Sequence, residues 1–490
     1  MTTTHDLLQR LEKLSSQSVV VVGDVMLDRF MYGQVDRISP EAPIPVMRYV
    51  REITMPGGAG NVVRNLLSLK QRAELIGVIG SDTAGFDIAK QISQDEAVTP
   101  HLITDPNRPT TVKTRFVAGI QQVLRCDVEN AEPISSIIEE QAGVRLRLAL
   151  PQCVAVILSD YAKGMLTPKL LRDAIMLGKE FGKPVIIDPK GRDYTRYQGA
   201  DVITPNRKEL AEASGMNIRT VEDSVKAATM LLEKHSFGAV LAKLGADGVC
   251  LVPQGKEPIH IKATAREVYD VSGAGDTVIA AFATALGAGL SIEDAATIAN
   301  EAGSIAVGKV GTATVTAEEI IRGFKQFEDR ELEDKIQSAN EALETVERWR
   351  RQGLSVGFTN GCFDLLHPGH VSLLKQARRA CDRLVVGLNT DDSVRRLKGA
   401  ERPVQNEKAR SLVLASLGMV DLVVLFEEDT PIELIRALRP NILVKGKDYT
   451  TDQVVGAKDV ASWGGQVVLA DLVEGQSTTN TLKKLRQTGS

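Results

Sequence analysis

The sequence predicts an α/β protein made of two units in tandem, each organised around a mostly parallel sheet. Three observations lead there. Short β-branched runs alternate with longer helical patterns along most of the chain. Those runs are apolar from end to end, the mark of strands covered by helices on both faces. The rhythm lapses after Thr316 and restarts after Gly353. At roughly 100–200 residues per domain, 490 residues leave no shortage of core-forming chain.

In the first unit, Ser18–Val22, Leu75–Ile79, Val154–Leu158, Val185–Asp188, Val202–Thr204 and Ala239–Ala242 read as buried strands, most of them followed by a Gly, Asp or Asn turn and a helix. Between Met31 and Glu52 the pattern alternates and is punctuated by Pro40, Pro43 and Pro45, which suggests an antiparallel excursion, a β lid, instead of another βα unit. Thr316-Ala-Glu-Glu319 fits a capping box and opens a charged helical segment whose apolar stripe thins at Asp329–Lys335. The expected division is therefore 1–318, a helical linker over 319–349, and 350–490. In the last part the strands are Ser355–Thr359, Leu384–Leu388, Leu422–Leu425, Ile442–Val444 and Val467–Leu469, with helices from Pro368, near Lys408–Ser416 and from Pro431.

Composition removes several classes of function. Lys and Arg total 59 against 63 Asp and Glu, a net charge of −4, so no basic face for nucleic acid or anionic membrane is expected. The 43% hydrophobic and 25% charged residues are those of a folded chain. No secretory leader is expected at Met1-Thr-Thr-Thr, and the longest weakly polar run, Val278–Leu290, is short of the roughly 20 residues of a spanning helix. Five cysteines without a CxxC pair suggest reduced thiols in a cytoplasmic enzyme, with neither structural zinc nor a disulfide framework.

Two constellations carry chemistry. In the first, Asp270-Val-Ser-Gly-Ala-Gly-Asp276-Thr precedes an apolar helical run, so Gly273, Ala274 and Gly275 present backbone N–H groups where a helix N-terminus favours phosphate. Asp276, just inside that helix, can accept a proton from an alcohol held against a γ-phosphate. The bland alternative is a Gly-rich turn with an acidic first turn. Gly57-Gly58-Ala59-Gly60-Asn61 opens another helix; Gly23-Asp24, with Asp28 beyond it, ends the first strand; Asn206-Arg-Lys-Glu209 and Lys243-Leu-Gly245 follow two others. Strand C-termini of a parallel sheet are where α/β folds place ligands, so these ends converge on one crevice. Two rival motifs fail: Gly303–Lys309 lacks the hydroxyl residue of a P-loop because Val310 stands there, and Val63 breaks a GxGxxG pattern.

This constellation resembles the ribokinase-like (PfkB-type) sugar kinases, through GGAGN to Gly80-Ser-Asp82 and through DVSGAGDT, over roughly the first 318 residues. The resemblance implies Asp276 as catalytic base and Gly273–Gly275 as the anion hole. It implies that Asn206 and Glu209 influence phosphate and Mg²⁺ binding, and that Lys243, Gly245 and Asn300 border the nucleotide. Asp24, Asp28, Gly57, Gly58 and Asn61 would border the sugar. Lys163 and Lys190, each following a strand, are candidates for a remote sugar phosphate, with solvated loop lysines as the alternative.

In the second constellation, the strand ending at Thr359 runs into Asn360-Gly-Cys-Phe-Asp364-Leu-Leu-His367-Pro-Gly369-His370 and a helix. Two histidines three apart at a helix start share nearly one face, Pro368 suits the first turn, and Gly369 admits a phosphate closely. Metal ligation is the rival, but no third ligand sits at metal spacing. The HxGH pattern resembles the cytidylyltransferase-like nucleotidyltransferases and implies a Rossmann-like domain in which His367 and His370 stabilise charge during in-line attack on the nucleotide α-phosphorus. Asn360, Gly361, Phe363, Asp364, Gly369, Lys398, Arg410, Ser477 and Thr478 would bind the nucleotide. Simpler cytidylyltransferases carry an Arg shortly before the E-G-x-S-T stretch, where this chain has Leu472, so some phosphate contacts must be replaced.

The fusion itself, with Arg37–Val46, Asn360–Asp364 and Glu474–Thr478, resembles the bifunctional heptose-7-phosphate kinase/heptose-1-phosphate adenylyltransferase family. That resemblance implies heptose phosphates and ATP as substrates, Mg²⁺ with ligands unassigned, and ADP-heptose for lipopolysaccharide core as the product. A separate phosphatase would act between the two steps, and the β lid would make a homodimer. Two other readings stay open: a fused sugar kinase and cytidylyltransferase for another sugar or polyol phosphate, and a nucleotide-sensing regulator with inactive sites.

Overall fold

The computed structural model describes residues 18–119, 121–264, 268–309, 311–447 and 449–471, with backbone alone at 327–331. The chain divides into two compact units between Lys325 and Gln326.

In the first unit the strands are β1 (Ser18–Gly23), β2 (Val25–Ile38), β3 (Pro45–Gly58), β4 (Arg72–Gly80), β5 (Val98–Asp105), β6 (Thr111–Ala118), β7 (Gln121–Val128), β8 (Cys153–Ser159), β9 (Val185–Asp188), β10 (Val202–Ile203), β11 (Ala239–Lys243), β12 (Val249–Pro253) and β13 (Ile259–Ile261). Nine of them form one sheet in the order β13-β12-β11-β10-β9-β8-β1-β4-β5. It is parallel from β11 to β5 and closes with two antiparallel strands, β12 and β13. Strand periodicity divides its side chains between two cores: Val19 and Val21 pack with the helix Ala274–Gly287, Val20 and Val22 with the helices Pro168–Glu180 and Val221–His235. The apolar continuity of β1 is the direct consequence.

A second sheet, β3-β2-β6-β7, is the expected lid. Its β2–β3 hairpin runs from Val25 to Gly58, longer than the Met31–Glu52 excursion read from the sequence, and β6 joins β2 in parallel. Pro40 and Pro43 occupy the turn and Pro45 starts β3, positions at which a missing N–H breaks no interior ladder bond.

The second unit is a six-stranded parallel sheet, β14-β17-β16-β15-β18-β19, built from β14 (Ile336–Gln337), β15 (Val356–Gly361), β16 (Arg383–Asn389), β17 (Leu422–Phe426), β18 (Ile442–Gly446) and β19 (Gln466–Ala470). Here the expected linker needs correction. The Thr316/Glu319 capping box does start a helix, Ala317–Asp334. Beyond it, however, Ile336–Gln337 pairs with β17, and the helix Ala339–Arg351 buries Ala342 and Val346 against Val356, Phe358 and Ile435. Leu343 and Trp349 pack against the same core, so an apolar stripe docks a helix whose other faces are charged. The second unit therefore begins well ahead of residue 350, within the helix Ala317–Asp334, whose Leu332 packs on the second unit's core.

Candidate active sites

In the first unit the C-terminal ends of β1, β8, β9 and β11 meet the N-terminus of the helix Ala274–Gly287. Gly273 caps that helix with φ +79° and supplies no side-chain acceptor; the Ala274 N–H donates to the Val271 carbonyl at 3.4 Å, and those of Gly275 and Asp276 point to a ligand. Asp276, 4% exposed, lies in the first turn. Asn61 Nδ2 donates to its Oδ2 at 2.8 Å and the Tyr161 hydroxyl to its Oδ1 at 2.8 Å. Burial pushes the Asp276 carboxyl up to about 7; the bonds from Asn61 and Tyr161 and the charge of Lys243 oppose that rise, while Asp188 adds to it. A carboxyl poised near neutrality at a phosphate-receptive helix end has the properties of a general base for phosphoryl transfer.

Glycines bring the backbone of the GGAGN segment into this crevice. A Cβ on Gly58, whose φ is +57°, would lie 2.4 Å from the Asp24 carbonyl oxygen, and one on Gly57 2.2 Å from Asp28 Oδ2. Lys243 Nζ donates to Asp188 Oδ1 at 2.6 Å and lies 3.3 Å from where a Gly275 Cβ would be, so an ammonium borders the anion hole. Gly245 opens the short helical turn after β11 with φ +66°, and the Asn206 backbone bridges to Lys243.

Other expected residues have structural work. Asp24 accepts the backbone N–H groups of Tyr161 (2.8 Å), Lys163 (3.0 Å) and Met165 (3.0 Å), so it shapes the loop after β8 with both of its oxygens. Asn206 and Glu209 cap their helix reciprocally, at 2.9 and 3.0 Å. Asn300 donates to the Lys262 carbonyl at 2.8 Å. Asp28 pairs with Arg115 at 2.5 Å. Lys163 is paired with Glu129 and Lys190 with Glu209, each at 2.8 Å. Sequence reading missed Tyr161 and Asp188. Asp188 ends an apolar strand, VIID, and could have been found by that signal; Tyr161 reaches Asp276 only through the loop that Asp24 holds. The near P-loop stretch is helical at Gly303, inside Ile292–Val307, as its rejection required.

In the second unit a cavity of about 550 Å³ lies at the C-terminal ends of β15, β16 and β18. Asn360, Gly361, Phe363, Asp364, His367, Gly369, His370 and Lys398 all line it. His367 is the N-cap of the helix Pro368–Arg379, and its ring stacks on His370 with centroids 3.8 Å apart. Phe363, with φ +42°, packs 5.0 Å from the His370 ring. Burial, with the charges of His367 and Lys398, holds His370 down to about 4, and burial lowers His367 as well. Among the described residues, Nδ1 of both histidines and Oδ1 of Asn360 are buried with no hydrogen-bond partner. Such atoms need a polar ligand: an imidazole N–H can donate to a nucleotide phosphate, while the Asn360 amide oxygen accepts and calls for a hydroxyl or N–H of the ligand.

Two expectations change here. Arg410 is no phosphate ligand: it is 1% exposed, and its guanidinium donates to Cys362 O (2.7 Å), Asn389 O (2.9 Å), Gln405 O (3.0 Å) and Asp391 Oδ1 (2.6 Å). Four of the five N–H donors of the guanidinium are thus taken by three carbonyls and a carboxylate, and the buried side chain braces the cavity wall. Asp364 likewise binds Arg402 and the N–H groups of Val404 and Gln405, which anchors the loop over the cavity. Ser477 and Thr478 lie outside the described residues. Lys445, Asp429, Thr430 and Tyr449 line the cavity without having been singled out, because they come from later loops with no motif of their own. Among the described residues no three His, Cys, Asp or Glu side chains gather in a group that could hold a metal.

The comparisons with known proteins agree with this geometry. Residues 16–319 match the pfkB family carbohydrate kinase model and residues 358–477 the cytidylyltransferase-like model. The chain is 53% identical to the bifunctional protein HldE of Paramagnetospirillum magneticum over 99% of both chains, and 51% identical to that of Acidiphilium cryptum over 98% of both. Among solved structures, ribokinase of Arabidopsis thaliana, in complex with ribose and ATP, matches 64% of this chain and 99% of its own (TM-score 0.51, 24% identity). Phosphofructokinase-2 of Escherichia coli matches 64% and 100% (TM-score 0.55, 20% identity). These two share the fold of the first unit. With both family models and full-length relatives in agreement, the chain belongs to the bifunctional HldE family, a pfkB-type carbohydrate kinase joined to a cytidylyltransferase-like nucleotidyltransferase.

Proposed function

We propose that the first unit phosphorylates heptose 7-phosphate at its anomeric oxygen with ATP, and that the second joins heptose 1-phosphate to AMP with release of pyrophosphate, giving ADP-heptose for lipopolysaccharide core. The observation that carries the kinase reading is Asp276, buried and held by Asn61 and Tyr161 at the mouth of an uncapped helix N-terminus. The sugar's identity rests on the full-length resemblance to this bifunctional family.

In the kinase step Asp276 takes the proton of the anomeric hydroxyl as its oxygen attacks the γ-phosphorus in line. The N–H groups at Gly273–Gly275 and the Lys243 ammonium receive the charge that develops on the equatorial oxygens. Mg²⁺ bound with ATP would supply charge that neutralises the phosphates. Such an ion needs one or two carboxylates beside the phosphate oxygens. Asp188 and Glu209 would hold it: burial raises the Asp188 carboxyl, and Glu209 stands close enough for its charge to raise it further against the opposing charge of Lys243. In the second unit a heptose 1-phosphate oxygen attacks the α-phosphorus of ATP directly. His367, His370 and Lys398 stabilise the transferring group, and Ser477 and Thr478 contact the β- and γ-phosphates. Between the two steps a separate phosphatase removes the 7-phosphate.

The lid sheet exposes Ile38, Ile44, Tyr49, Val50 and Leu124, an apolar surface suited to a homodimer, which sedimentation tests. No helix among the described residues is long and apolar enough to cross a membrane. Product analysis tests the whole reading: incubation with ATP or CTP and candidate sugar phosphates should give a heptose bisphosphate and ADP-heptose. A CDP-sugar or CDP-polyol would favour the cytidylyltransferase alternative, and no product the regulator.

A further inference from the structure

Lys113 stands on β6 of the lid, across from Asp28 on β2 and Asp127 on β7. Both neighbouring carboxylates are already neutralised by arginines: Asp28 by Arg115 at 2.5 Å and Asp127 by Arg125 at 3.1 Å. Arg64, held by Asn61 Oδ1 at 3.0 Å, adds another cation facing Asp28 and Asp276. The cations of this cluster therefore outnumber its carboxylates, and Lys113 is the surplus charge. Among the described residues its ammonium makes neither a hydrogen bond nor an ion pair; it rests 5.2 Å from the centre of the Tyr161 ring.

Position gives this surplus a meaning. The hydroxyl of the same Tyr161 holds Asp276 at 2.8 Å, so Lys113 stands over the face of the ring that holds the base. A sugar phosphate whose anomeric oxygen sits at Asp276 is long enough for its far phosphate to meet an ammonium that stands over this ring. Burial already lowers the pKa of Lys113, and a half-buried ammonium without a counter-ion is an energetic liability that an anionic ligand relieves. The two lysines expected to hold a remote phosphate, Lys163 and Lys190, are instead paired with Glu129 and Glu209.

We propose that Lys113 is the specificity-determining residue of the kinase site and pairs with the phosphate at the end of the sugar remote from the reacting oxygen. The inference rests on the proposed reading of the first unit as a sugar-phosphate kinase. Lid closure then brings β6 and its ammonium onto the substrate, so that recognition of the far phosphate and enclosure of the reacting end are one event.

The test compares kcat/KM for heptose 7-phosphate with kcat/KM for the same heptose lacking phosphate, in full-length wild-type chain and in Lys113→Met and Lys113→Arg. The expected result is that Lys113→Met lowers the preference for the phosphorylated sugar at least tenfold, through a raised KM, and that Lys113→Arg keeps most of it. Equal losses on both sugars would reveal a merely structural lysine and overturn the proposal, as would an unchanged preference. If the wild type accepts a different sugar phosphate, the heptose reading falls and the same ratio, taken on that sugar with and without its phosphate, decides the role of Lys113. If it accepts no phosphorylated sugar at all, both fall.

Discussion

Substituting Asp276 by Asn tests the kinase mechanism on two axes at once. The carboxyl is held up to about 7, so in the free enzyme about a tenth of it is ionised at pH 6 and about nine-tenths at pH 8. If it is the base, kinase kcat/KM should rise about tenfold per pH unit up to about 7 and level off above. Asp276→Asn should lose about 10²–10⁴ in rate, the usual loss for a positioned base. The Tyr161 hydroxyl can turn to accept from the new amide, so the fold is retained. Stability supplies the second axis. The carboxyl's folded value lies above the 3.8 of an ordinary Asp, so its contribution is fully present below 3.8 and is lost as the pH rises to about 7. At about 1.4 kcal/mol per pH unit, the wild type should lose about 4 kcal/mol relative to Asp276→Asn over that span. Steady-state kinetics with heptose 7-phosphate and denaturant unfolding at several pH values measure the two effects. Near-normal turnover in the Asn variant would refute the assignment of the base, and parallel stability curves would refute the buried-charge argument.

Three further outcomes follow from the second unit. His367→Ala should slow AMP transfer by about 10²–10³, as loss of an oxyanion-hole donor does, and leave sugar phosphorylation unaltered in the same chain; coupled assays of both products check it. His370, held to about 4 by burial, should be neutral at pH 7 in the free enzyme and should titrate at higher pH once ATP phosphates lie beside it, as NMR of its ring would record. Because its folded value is depressed, the stability it contributes is present above the ordinary 6.5 and is lost as the pH falls through about 4. Arg410→Ala should destabilise the second unit by about 3–5 kcal/mol, since it strands Asp391 and the buried Asn389 carbonyl and breaks the part-buried bonds to Cys362 and Gln405; Arg410→Ala with native-like unfolding but a raised KM for ATP would return the residue to the nucleotide.

Much of this protein was legible in one dimension, wherever function is carried by contiguous residues. A phosphate cradle needs consecutive N–H groups at a helix start, so Gly273–Asp276 and His367–His370 announce themselves as short strings, and continuous apolar runs mark strands buried on both faces. Only the tertiary structure decided what depends on distant partners. Arg410 and Lys398 look alike as cations downstream of HxGH, yet one is locked under the sheet ends by four acceptors and the other lines the cavity. The charged segment after Asp334 looked like a connector until Ile336 found β17 and Ala342 and Val346 found a core. Tyr161 touches the base across 115 residues of chain, and Lys113 is left without a counter-ion because two arginines claim the neighbouring carboxylates. Charge and burial belong to neighbourhoods, and the sequence records neighbours only along the chain.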